Sequence, residues 1–139
     1  MNYKRFGSTL VVRIDRGEEI LKTVAAVCEM ERVTCGSIEG IGAVDHAVVG
    51  LYRVAEKKYY SNTFDGEMEM TSLLGNVSEK DGKVYLHCHA NFAKADGQAV
   101  GGHLNEAVIS GTGELFIRIE NGTLGRRPDQ VTGLNIFDL

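Results

Sequence analysis

Three of the four histidines lie between Lys83 and Leu104, in KVYLHCHANFAKADGQAVGGHL. His87 and His89 are two residues apart, behind the β-favouring residues Val84, Tyr85 and Leu86. Side chains alternate faces along a strand, so both imidazoles point one way while Cys88 points the other, toward a core. After thirteen intervening residues, His103 follows the pair Gly101-Gly102. Two ligands from one strand and a third from a glycine-flanked return make a three-histidine metal site. Three protein nitrogens leave a position for water or a substrate, the arrangement of catalytic rather than closed structural zinc. An HxH pair alone arises often by chance, and ordinary surface or core histidines are the competing reading. The third histidine beside the glycines tips the balance toward metal.

Such a site needs a strand, a turn and a return to hold it. Ser78 to Lys83 carries Asp81-Gly82, a hairpin dipeptide, ahead of the HCH strand. Lys94 to Gln98 is a second turn, leading to the Gly-Gly-His corner. Upstream, Glu67 to Val77 reads as a strand with Glu67 and Glu69 on one face; solvated glutamates are the plain reading there, and a site carboxylate the alternative. Ser8 to Ile14 reads as the first strand, with Arg13 near its end as either an edge residue or a functional cation.

Ile20, Leu21, Val24, Ala25, Val27 and Cys28 recur at three- and four-residue spacing, which predicts an amphipathic helix to about Arg32. Asp15 or Gly17 is its expected cap, with Glu18 and Glu19 favoured at its N-terminus by the dipole. The glycines 36, 40 and 42 fit no phosphate-loop pattern and predict a bend before the strand Ala43 to Tyr52, where His46 is read as a non-ligand. Glu56 to Tyr60 is polar and aromatic, and turn signals follow at Asn62 and Asp65-Gly66. Val108 to Glu120 is a β-type stretch broken at Gly111 and Gly113, and Leu134 to Leu139 closes the series. One helix and about seven mostly hairpin-linked strands predict an α+β fold with an antiparallel, barrel-like sheet.

The 139 residues suffice for one domain with a core, and 43% of them are hydrophobic. A net charge of −4 disfavours a broad basic surface for nucleic acid, though not a local patch. No apolar run approaches the roughly 18 residues of a membrane span, and MNYKRFGST has no apolar signal core, so a cytoplasmic chain is expected. Cys28, Cys35 and Cys88 form no CxxC and are expected as reduced thiols.

Several segments together resemble one family. GEEI opens the helix and GIGA follows it; EMTSLLGNVS, HCHANFAKADGQAVGGHL and RPDQVTGL match further parts of a signature. They resemble the PPC domain, "plants and prokaryotes conserved", in its stand-alone prokaryotic form, over nearly the whole chain, 1–139. The resemblance implies a homotrimer with sites close to subunit interfaces, and a fold similar to acetolactate decarboxylase, which holds zinc with three histidines. Carried over by position, the zinc ligands are His87, His89 and His103. Glu69 and Arg13 are candidates to line the same pocket as catalytic residues. In plants the domain is fused to AT-hooks that bind A·T-rich DNA, and prokaryotic members carry a DNA-binding label on that basis. The chain departs from that pattern: Gly125-Arg126-Arg127-Pro128 has no glycine between its arginines, and it reads as a turn rather than a minor-groove finger.

Two classes of function follow, with a third in reserve. One is a metal-dependent lyase or hydrolase, or a small-molecule site, with Glu69 moving protons and Arg13 holding a substrate carboxylate. Another is a DNA-associated regulator, which the charge does not support. A trimeric partner-binding scaffold is the third. None of them involves a membrane.

Overall fold

The computed structural model describes all residues, Met1 to Leu139. The chain runs β1 (Asn2–Phe6), β2 (Thr9–Ile14), α1 (Ile20–Met30), β3 (Gly36–Arg53), β4 (Lys58–Lys80), β5 (Lys83–Ala93), β6 (Ala99–Ile119), β7 (Gly125–Pro128) and β8 (Asn135–Asp138). It is a sheet-dominated molecule with one α-helix. The strands form one eight-stranded sheet, antiparallel except where β7 meets β4 at Glu79 and Gly125. The pairings β3–β4, β4–β5, β5–β6 and β6–β3 run in a closed circuit, and β1–β2 extends it from β6. No helix is long and apolar enough to cross a membrane.

The alternation along each strand explains the core. Leu10, Val12 and Ile14 of β2, Leu104, Ala107 and Ile109 of β6, and Cys88, Ala90 and Phe92 of β5 are buried. Their sequence neighbours face outward. α1 packs against β5 and β6 and buries Ile20, Val24, Val27 and Cys28, as its spacing predicts. Its cap is Glu19, not Asp15 or Gly17. The Glu19 carboxylate accepts from the backbone N–H of Leu21 (3.0 Å), Lys22 (2.7 Å) and Ala107 (3.2 Å), tying helix start to β6. Glu18 is drawn away from the helix by the Asp15 backbone N–H, which donates to it at 2.8 Å.

Two further expectations are corrected. The turn signals at Asn62 and Asp65-Gly66 lie inside β4, because β3 and β4 form one long hairpin turning at Val54–Glu56 and Lys57. Asp65 and Gly66 are accommodated by a register shift between Val44 and His46. Likewise, Gly111 and Gly113 do not break β6: Gly113 pairs with Gly42, and the β3–β6 ladder shifts register just beyond it. The bend expected near Gly40 and Gly42 falls at a register shift of β3 against β4.

Candidate metal centre

Asp81 and Gly82 both take left-handed conformations (φ 55° and 73°) and turn β4 into β5. That turn sets the pairing of Asn76 with His87 and of Leu74 with His89. On its other edge β5 pairs with β6, placing His103 directly opposite His89. All three imidazoles emerge on the outer face of the sheet, opposite the buried Cys88.

The return to His103 depends on two missing side chains. A Cβ on Gly102, at φ +155°, would stand 2.7 Å from the Gly50 carbonyl oxygen. One on Gly101 would stand 2.5 Å from the Ala90 carbonyl oxygen. Only glycine lets β6 approach β3 and β5 this closely.

The candidate ligand atoms of His87, His89 and His103 lie within 4.8 Å of one another. The ring centroids are 5.1–5.6 Å apart, and Nε2 of His89 stands 3.3 Å from Nε2 of His87. Burial holds His87 below the ordinary imidazole range, helped by the charges of His103, His89 and Arg126. Burial, with His89, does the same for His103. Both rings are thus biased toward the neutral form that a metal requires. Three imidazole nitrogens this close together could hold one transition-metal ion.

Around the cluster stand residues that the spacing did not reveal. The Tyr59 ring meets His103 edge-on at 5.9 Å, and its hydroxyl bonds the His103 carbonyl oxygen (3.3 Å) and Asn105 Oδ1. Arg126, read from the sequence as part of a turn, donates to Asn76 Oδ1 at 2.7 Å, across the ladder from His87. Neither residue carries a local sequence signal; both arrive through long-range pairing.

Within one chain, Glu69 and Arg13 do not join the histidines. Glu69 pairs with Ala93, four residues along β5 from His89, which is roughly 13 Å at strand spacing. It is exposed, in a hollow with Ile41, Thr71, Thr112 and Glu114. Arg13 is 59% exposed, bonds Asp15 at 2.9 Å, and lines a neighbouring hollow that shares Glu114. His46 also lies apart, its Nδ1 2.6 Å from Asp65 Oδ1, consistent with a non-ligand.

A sheet-dominated chain with three convergent histidines on its outer face defines a class with known relatives. Residues 1–120 match the model of the Plants and Prokaryotes Conserved (PCC) domain, and the chain belongs to that family. A protein from Bacteroides thetaiotaomicron, described as a "putative DNA binding protein", is 34% identical (99% of this chain, 96% of that one, TM-score 0.96). A "metal-containing protein" from Archaeoglobus fulgidus is 30% identical (100% and 99%, TM-score 0.89). The α-acetolactate decarboxylase of Bacillus subtilis shares the fold at 16% identity (88% of this chain, 57% of that one, TM-score 0.60). No curated protein matches the chain in sequence.

Proposed function

We propose that this chain is a single-domain, cytoplasmic, homotrimeric zinc protein whose three-histidine site is open to water or a small oxo-acid. The convergence of His87, His89 and His103 carries the reading. The metal-containing relative at 30% identity supports it. A zinc ion held there would act as a Lewis acid and lower the pKa of bound water toward about 7. The protein's part is to present three neutral imidazoles and to keep His103 oriented through Tyr59. Two exposed apolar side chains support assembly: Phe116 of β6 and Leu74 of β4 stand on either side of Glu39 of β3, with Leu74 paired to His89. Phe116 is 46% exposed and Leu74 61%, and an interface here would cover both. Glu69 and Arg13 would then reach a triad only from a neighbouring subunit, as proton carrier and carboxylate holder for a lyase or hydrolase reaction.

Elemental analysis of protein purified without chelator should give about one zinc-class ion per chain. The double variant His87→Ala/His89→Ala should have none; unchanged metal content would reject the site. The description of the 34% identical relative supports a second reading, DNA binding. Against it stands the charge of −4. Fluorescence anisotropy on random duplex at physiological salt decides: nanomolar, steeply salt-dependent affinity would establish it.

A further inference from the structure

Beside the triad stands a guanidinium whose positive charge the chain leaves unanswered. Arg126 belongs to the β7–β8 hairpin, beyond residues 1–120 that match the family model. Its Nε donates to Ser78 Oγ (2.8 Å), its Nη1 to the Asn135 carbonyl oxygen (2.8 Å) and its Nη2 to Asn76 Oδ1 (2.7 Å). Its plane rests against the rings of Tyr85 (4.8 Å) and Phe137 (4.3 Å). Five contacts therefore hold it in one place, half-buried, and every partner is neutral. A guanidinium carries five N–H groups, so these bonds leave one N–H free on each Nη.

The location is what gives this meaning. Asn76 pairs with His87 and Ser78 with Tyr85; strand alternation turns all four away from the core, where Arg126 bonds the fully buried Ser78. Directly paired side chains stand about 5 Å apart, so the Nη2 edge of Arg126 lies one side chain from His87. Arg126 forms no ion pair, and its three hydrogen-bond acceptors are a hydroxyl, a backbone carbonyl and an amide. With a divalent cation on the triad, the fixed guanidinium would complete a strongly positive corner, and such a corner selects an anion. Planar two-point recognition of carboxylate is what a fixed guanidinium does best.

We propose that Arg126 is an anion-binding residue of the histidine site, and that the site takes a small carboxylate-bearing ligand, with one group on the open metal position and the carboxylate toward Arg126. The proposal rests on the metal reading above and assigns the carboxylate to a residue of the same chain rather than to Arg13.

The test uses the full chain loaded with Co2+, whose visible spectrum reports ligands on the open position. Pyruvate and imidazole are titrated as an anionic and a neutral probe. In Arg126→Gln, pyruvate binding should weaken about tenfold, the worth of one charge-assisted hydrogen bond, while imidazole binding stays within about twofold. Arg126→Lys keeps the charge but loses the fork, and its loss should be smaller; it also serves if the glutamine variant does not fold. Pyruvate affinity unchanged in both variants, or falling in parallel with imidazole, would overturn the proposal. A wild-type chain that takes up no Co2+ would instead overturn the metal reading, and this inference with it.

Discussion

At the scale of single residues, the protonation of the triad gives a direct test. His87 and His103 titrate below their ordinary range in the folded chain, mainly because they are partly buried. The unfolded chain keeps the ordinary value near 6.5. As pH falls through that value the unfolded state binds protons that the folded state refuses, so stability contributed above it is lost below it. Metal-free protein should therefore have a lower urea midpoint at pH 5.5 than at pH 7.5, and His87→Asn should narrow the gap. A gap that does not change would show that His87 is solvated like a free imidazole. The thiols give a second test. Burial pushes both Cys28 and Cys88 up to about 12, whereas Cys35 is only half-buried. A disulfide reagent at pH 8 should titrate at most one thiol in the native protein and three after denaturation. The direction of Cys88 and the convergence of the histidines were legible because strand alternation and one glycine pair determine them. Arg126 and Tyr59 were not, since they reach the site through partners some 40 to 50 positions away in sequence.

At the scale of elements, the site depends on how closely β6 can approach β3. Gly102→Ala would put a methyl group against the Gly50 backbone at 2.7 Å and require a conformation that favours glycine. It should cost about 1–3 kcal/mol in urea unfolding and reduce metal uptake by displacing His103. The helix has its own anchor in Glu19, and Glu19→Ala should cost about 1 kcal/mol without changing metal content. These variants separate damage to the scaffold from damage to the site. The helix, the HCH strand and the Asp-Gly hairpin were readable because local propensity and tertiary pairing agree there. The turn signals at Asn62 and Asp65-Gly66 mislead because these residues sit on an exposed hairpin. There, the ladder with β3 outweighs their turn preference. Likewise the closed circuit of β3 to β6 depends on register, which no local pattern carries.

At the scale of the whole molecule, the outward side chains of Phe116 and Leu74 should be covered in assembly. Light scattering of the wild-type chain should give three times the 15.2 kDa monomer mass. Leu74→Asp and Phe116→Asp should shift it toward the monomer, since a buried unpaired carboxylate is costly. A wild-type monomer would remove the support for subunit-completed sites and leave Arg126 as the cation of the pocket. The central claim is that three imidazoles hold one cation. It is tested most directly by anomalous diffraction at the zinc edge, on crystals of protein purified without chelator. The account predicts one peak per chain, about 2.0–2.1 Å from a ring nitrogen of each of His87, His89 and His103. Rings turned apart with no peak between them would contradict it.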